Sequence, residues 1–373
     1  MGSYISNILA DDVSTLGPLR KTFARKEDFP HIARAYTRLS QEIRQLGLLS
    51  RSPWFYILTG FSIFLGFLLV LAASIILGES WLQLIVAACL GLLFTQVAFL
   101  AHEAGHRQIL TAGPSNDALA RVLTAFVGIS YSWWDSKHSR HHANPNMEGK
   151  DPDIEVDTIS FLQQDAASAT GLRKFITKRQ GWLFFPLLTL EGLNLYGHSF
   201  RYLLTEKSVK SRWSELSMIF IRTILVFVPI FVFLPLGMAF AFSGIMLAVF
   251  GIYMGASFAP NHKGMPVIAA GERIDFFTKQ VRTSRNIRGG WWATIFMGGL
   301  NYQIEHHLFP SMARPKLAKA RLIVQRFCLE HDVPYVETSL IGSYAIVIRY
   351  LNEVGLAARD PFECPMVAEF RRA

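Results

Sequence analysis

The sequence predicts an all-α integral membrane fold. Four transmembrane helices form two hairpins, and the polar segments gather as a helical cap on the cytoplasmic side. Three observations carry this. Of 373 residues, 51% are hydrophobic and 17% charged, whereas soluble domains run near a quarter charged. Four apolar stretches are each long enough for a helix of about 20 residues to cross a hydrocarbon core of about 30 Å. No Lys or Arg occurs between Ser52 and His106 or between Thr223 and His262, although the chain carries 37 of them.

The elements follow in order within a single domain, residues 1–373. Residues 1–53 form a cytoplasmic N-terminal arm. In it Ile32, Tyr36, Leu39, Ile43 and Leu46 recur at steps of four and three, the period of an amphipathic helix. Residues 56–100 form the first hairpin: Tyr56 to Leu77, then Trp81 to Leu100, turned at Gly78-Glu79-Ser80. Residues 101–215 are a cytoplasmic loop. Val122 to Trp134 is too short to span, and its Tyr131, Trp133 and Trp134 suit the headgroup boundary. Trp182 to Leu204 is apolar but broken by Glu191, Asn194 and His198, so it reads as an interfacial helix. Residues 216–258 form the second hairpin, Leu216 to Leu234 and Leu236 to Phe258. Pro235 and Gly237 mark its turn, and Pro229 is expected to kink its first helix. Residues 259–373 are a cytoplasmic tail. There Lys316 to His331 is a further amphipathic helix with Leu317, Ala320, Val324 and Phe327 on one face. Positive residues stay cytoplasmic. Both hairpins therefore enter from that side, and both termini lie there.

The net charge of +9 fits nucleic acid, anionic lipid or an acidic partner. No zinc finger, helix-turn-helix or RNA-binding signature is present, so no nucleic acid partner is expected. Cys89, Cys328 and Cys364 are too scattered for a disulfide framework or a thiolate metal site. The first residues lack the apolar stretch of a secretory leader. Met1-Gly2-Ser3-Tyr4-Ile5-Ser6 matches the loose myristoylation pattern, an anchor that a spanning chain does not need. The basic residues Arg173, Lys174, Lys178, Arg179, Lys207, Lys210 and Arg212 face anionic lipid, phosphates or an acidic partner, or simply reflect the positive-inside topology.

Seven of eleven histidines fall in three clusters. His102 and His106 stand four apart at the cytoplasmic end of the second span, on one helix face. His138, His141 and His142 repeat that spacing. His306 and His307 do so again, with Gln303 in the first place. The charge pattern puts all three on one membrane surface, where they can converge. Seven imidazoles are too many for one ion, since a catalytic zinc takes three protein ligands and a water, so two metals are expected. Imidazole suits iron, copper and zinc alike. Asp151, Asp153, Glu103 and Glu305 are placed to accept the second ring N–H of these histidines, or to cap helices. His31, His198 and His331 lie outside the clusters.

These residues closely resemble the membrane fatty-acid desaturase family. The runs HEAGH, HSRHH and QIEHH match in order and spacing. So do the runs around them: His141-His142-Ala143-Asn144-Pro145, Asp151-Pro152-Asp153, Asn261-His262-Lys263-Gly264 and Asn301-Tyr302-Gln303. The surrounding text is similar to bacterial acyl desaturases of the front-end-like branch. The resemblance implies that the helical cap carries a diiron site: two Fe ions, O2 as co-substrate and a fatty acyl substrate, as CoA ester or lipid. It adds His262, just after the fourth span, to the ligand set, with Asn261 beside it. Gln303 stands where many acyl-CoA desaturases have histidine. Glutamine is a weaker, neutral donor that binds iron or only hydrogen-bonds nearby, and it is usual in front-end enzymes. No His-Pro-Gly-Gly haem motif occurs. The resemblance therefore implies an external donor, a ferredoxin or cytochrome b5 type protein with its NAD(P)H reductase. Trp133, Trp134, Trp291 and Trp292 line an acyl tunnel or anchor the interface.

The expected activity is oxygen-dependent introduction of a cis double bond into an acyl chain. It is expected in the cell membrane, or in an endoplasmic-reticulum-type membrane of a eukaryote. An unactivated methylene has no acidic proton, so a cofactor must carry the step. A diiron fatty-acyl hydroxylase would use the same histidine pattern. A non-enzymatic membrane metal-binding protein or transporter should carry polar residues inside its spans. Here only Arg222, Gln83 and Gln96 stand out.

Overall fold

The structure, a computed structural model, describes residues 29–358. The N-terminal hexapeptide and Cys364 lie outside them. Along the chain run α1 (Phe29–Gln45), α2 (Pro53–Leu77), α3 (Gln83–Gly105), α4 (Gly113–Val127), α5 (Tyr131–Ala143), α6 (Gln163–Ala167), α7 (Gly171–Thr177), α8 (Gln180–Leu188), α9 (Glu191–Thr205), α10 (Arg212–Phe233) and α11 (Leu236–His262). They are followed by α12 (Phe276–Arg282), β1 (Asn286–Arg288), α13 (Gly290–Phe296), α14 (Gln303–Leu308), α15 (Arg314–Glu330), β2 (Glu337–Ser339) and α16 (Leu340–Leu356).

Among the described residues four helices, α2, α3, α10 and α11, are long and apolar enough to cross a membrane. They coincide with the four apolar stretches but differ at their ends. Helix α2 starts at Pro53, since proline suits the first helical turn. Helices α3 and α11 run beyond their apolar stretches to Gly105 and His262. That overrun puts His102 and His262 on the long helices themselves. Helices α3 and α11 form the inner pair, and their backbones touch. A Cβ on Gly91 would come 2.6 Å from the carbonyl oxygen of Met246, so only glycine allows the approach. Helix α2 packs outside them and leaves Phe61, Phe64, Leu69 and Ile76 exposed, as an apolar solvent requires.

The polar part is mostly helical, with differences from the pattern. Ile32, Leu39 and Ile43 of α1 are buried against Phe277, Leu308 and Phe327, but Leu46 lies past the helix end and is exposed. The stretch from Trp182 to Leu204 is two helices, α8 and α9, separated at Thr189 and Leu190. The stretch from Val122 to Trp134 straddles the end of α4 and the start of α5, where the Ser130 hydroxyl caps α5 by accepting from the Trp133 N–H. Helix α15 buries Leu317, Ala320, Val324 and Phe327, the face its periodicity marks. The fold is not wholly α. Strands β1 and β2 pair in parallel from Asn286 opposite Glu337 to Arg288 opposite Ser339. Two three-residue strands are too short to show a period of two in the sequence.

Candidate metal centre

Four separate segments deliver eight imidazoles to one place. Helix α3 brings His102 and, one residue past its end, His106. Helix α5 brings His138, His141 and His142. His262 is the last residue of α11. Helix α14, a short turn beyond the exposed α13, brings His306 and His307.

The rings sort into two adjoining groups. His102, His106, His138, His142 and His306 form one, and His141, His262 and His307 the other, with one nitrogen of each residue within 4.8 Å of all others in its group. In the first group, Nε2 of His138 lies 2.8 Å from Nε2 of His106 and 3.1 Å from Nε2 of His102. In the second, Nε2 of His141 lies 3.3 Å from Nε2 of His262. The groups meet where His142 stacks on His307.

This donor set fits metal ions. Ring nitrogens sit about 2.1 Å from a bound first-row ion, so neighbouring donors on one ion stand about 3 Å apart, which matches the spacings above. Both ring nitrogens of His142, and Nε2 of His306 and His307, are buried without a hydrogen-bond partner. Such orphaned groups are costly unless something else binds them. Burial, aided by the neighbouring rings, keeps His138, His142, His306 and His307 well below the ordinary histidine pKa, and burial takes His106 down to about 3. The rings are thus held neutral, the form a metal requires.

Three rings of the second group are fixed from behind. Nδ1 of His141 faces the buried Asp151 carboxylate at 3.0 and 3.1 Å, with Asp153 at 3.4 Å. These carboxylates outweigh burial and raise the pKa of His141. Nδ1 of His262 donates to the Thr283 carbonyl at 2.9 Å. Nδ1 of His307 donates to Oε1 of Gln280 at 2.9 Å, and Nε2 of Gln280 donates to the His142 carbonyl at 2.9 Å. Each contact turns Nε2 toward the group centre. Asp151 is itself held by the N–H groups of Asn146, at 2.7 Å, and Asp153, at 2.9 Å. Asn146 has a left-handed backbone, φ 51°. Its side-chain amide donates to the carbonyls of His262 at 3.1 Å and Pro266 at 3.3 Å. One asparagine therefore joins the α5 loop to the end of α11. Asn146, Gln280 and Thr283 carry no pattern that singles them out in the sequence.

Several expected roles are corrected. Gln303 presents its nitrogen, not its oxygen, to the second group: Nε2 lies 2.9 Å from Nε2 of His262, and Oε1 accepts from Asn261 at 3.2 Å. In this arrangement its amide hydrogen-bonds beside the rings, one of the two roles expected of it. Asn261 holds Gln303 rather than a ring. Glu305 points away from the imidazoles. Its oxygens accept from Asn286 at 2.7 Å and Tyr335 at 2.8 Å, and burial pushes its carboxyl up to about 7. Glu103 also turns away, since adjacent helix residues point about 100° apart. It pairs with Arg314 at 2.8 and 2.5 Å and accepts from Tyr56 at 3.3 Å. The same hydroxyl lies 3.0 Å from Oε1 of Gln108, whose Nε2 donates to the Pro310 carbonyl at 2.8 Å. This buried network ties the His102 helix to the segment after His307. Trp134 stacks on His138 with centroids 4.6 Å apart. Trp133 instead stacks on His198, which belongs to neither group. His331 packs on Phe327.

The family model described as fatty acid desaturase matches residues 79–339. The chain is 30% identical over 350 residues to Delta(8)-fatty-acid desaturase 2 of Arabidopsis thaliana, covering 88% of this chain and 76% of that protein. It is 28% identical over 347 residues to the acyl-lipid (9-3)-desaturase of Borago officinalis, covering 88% and 76%. It is 26% identical over 335 residues to the Delta(6)-fatty-acid desaturase fat-3 of Caenorhabditis elegans, covering 86% and 74%.

Proposed function

The chain belongs to the fatty acid desaturase family, and on that premise we propose that its eight clustered histidines hold two iron ions. The enzyme is an oxidoreductase that desaturates a fatty acyl chain, and it is a membrane protein. The observation that supports the ion count is the division of the imidazoles into two groups that share the His142–His307 contact.

The ligand set on this reading is His102, His106, His138, His142 and His306 for one ion, and His141, His262 and His307 for the other. Bound iron, with O2 and electrons from an external donor, supplies the power to remove two hydrogens from adjacent unactivated methylenes. The protein's share is placement. Asp151, Thr283 and Gln280 fix ring tautomers, and the buried surround excludes water. The two pairs α2–α3 and α10–α11 enter the bilayer from the cytoplasm as hairpins, with both termini and the histidine groups on that side. The absence of Lys and Arg from both pairs between Ser52 and His106 and between Thr223 and His262 supports this.

The substrate is an acyl-CoA or acyl-lipid that already carries a double bond. The new cis bond forms between it and the carboxyl end. Gln303 in the first place of the third histidine run supports this front-end regiochemistry, as do relatives named for Delta(8) and Delta(6) positions. The test is expression in a host fed defined fatty acids, with lipid analysis by mass spectrometry. A new alkene on the carboxyl side of an existing one is expected. A hydroxy acid without a new alkene would reject desaturation, and purified active protein holding zinc instead of iron would reject the metal.

A further inference from the structure

Between Arg288 and Glu305 the chain has no charged residue. Within this stretch α13 sets Trp291, 78% exposed, with Trp292, Ile295 and Phe296 on the surface, while Ala293 and Met297 are fully buried on the other side. Two hydrogen bonds fix how deep the segment lies. Nε2 of Gln96 on α3 donates to the Ile295 carbonyl at 3.4 Å and to the Tyr253 hydroxyl at 2.8 Å. The hydroxyl of Tyr253 on α11 donates to the Phe296 carbonyl at 2.6 Å. At the helical rise of about 1.5 Å per residue, Gln96 is about 9 Å from His102 and Tyr253 about 13 Å from His262, both toward the apolar middle of their helices. The backbone then rests on α3 itself: a Cβ on Gly298 would fall 2.3 Å from Phe99.

We propose that residues 289–299 form a re-entrant segment lying within the bilayer, with Trp291, Trp292, Ile295 and Phe296 against lipid acyl chains just below the headgroups. The inference rests on the membrane placement of α3 and α11. The last carbonyls of a helix lack intrahelical partners, and at hydrocarbon depth protein groups must satisfy them, as Gln96 does for Ile295 and Tyr253 for Phe296. The lack of charge excludes a salt-bridged protein partner, and exposed tryptophans are the side chains that favour the lipid–water boundary. Left-handed glycines, Gly290 at φ 64° and Gly298 and Gly299 at 59° and 86°, let the chain turn in and out. Beyond the segment, the Asn301 amide donates to the Thr294 hydroxyl at 3.2 Å, so the lipid-facing turn is linked to the start of the third histidine run.

The full chain in vesicles of brominated phosphatidylcholine tests this by tryptophan fluorescence. The emission lost in the Trp291→Phe/Trp292→Phe double variant reports these two residues, and phenylalanine preserves apolar contact. Lipid brominated near the headgroup should quench that lost emission, and aqueous iodide should leave it unchanged. Gln96→Leu should make it iodide-sensitive. Iodide quenching of the pair without lipid quenching would overturn the inference and indicate a water-facing surface. Trp54 and Trp81, at the ends of α2 and the turn before α3, remain in the variant. If their emission is also insensitive to brominated lipid, the membrane placement fails together with the inference.

Discussion

The imidazoles of His142 and His307 lie face to face, with centroids 4.2 Å apart and planes 8° from parallel. One ring belongs to each histidine group, so the pair is the wall between them. His142→Ala and His307→Ala are each expected to abolish product while the protein still inserts and folds. His307→Ala should lower iron by about one ion per chain, because three ligands fall to two. Elemental analysis beside product assay decides it, and full iron with full activity in either variant would remove that residue from the site.

Asp151 accepts three N–H groups: those of the His141 ring and of the Asn146 and Asp153 backbones. Asp151→Asn keeps the size but loses the negative charge that orients and polarises the ring. Loss of such a partner weakens metal affinity by about 10–100-fold. Iron retained during dialysis against a graded chelator should fall accordingly.

Asn146 does two jobs, one through its backbone and one through its side chain. Asn146→Gly keeps the left-handed turn and the N–H to Asp151 but loses the bonds to the α11 end. Asn146→Ala loses those bonds and adds about 1–2 kcal/mol of left-handed strain. The alanine variant should therefore melt lower than the glycine variant and keep less iron. Equal melting of the two would show that the backbone conformation at this position carries no cost.

The Glu103–Arg314 pair is almost wholly buried, 3% and 5% exposed at the side chains, which separates it from weak surface pairs. Glu103→Gln leaves the Arg314 charge buried without its counterion, at a cost of about 3–5 kcal/mol. Replacing both partners, Glu103→Leu with Arg314→Met, should cost less than either single change. Thermal melting in detergent of the two single variants and the double variant measures the difference.

Much of the centre is legible in the sequence because its histidines obey local rules. His102 and His106, or His138 and His142, stand one helical turn apart, and a turn leaves a spacing of four. What holds them does not. Thr283 offers only a backbone carbonyl, which any residue has, and Gln280 reaches His307 from 27 positions away. Glu103 and Glu305 look like ring partners because they sit beside histidines. Sequence neighbours on a helix point in different directions, so each finds its partners on the far side. The span ends are hard to read from the sequence for a related reason: helix geometry continues through His102 and His262 after the apolar composition stops. Helix α16, packed on α8 and α11 in the tail, left no clear signal against a background already rich in apolar residues.

The Glu103–Arg314 lock and the position of α14 also set an order of assembly. His306, His307 and Arg314 come late in the chain, and both histidine groups need at least one of the first two. Until His306 and His307 have emerged from the ribosome neither group is complete, even after all four long helices are out. A chain cut short before His306 would therefore leave both histidine groups unbuilt, however well its four long helices insert.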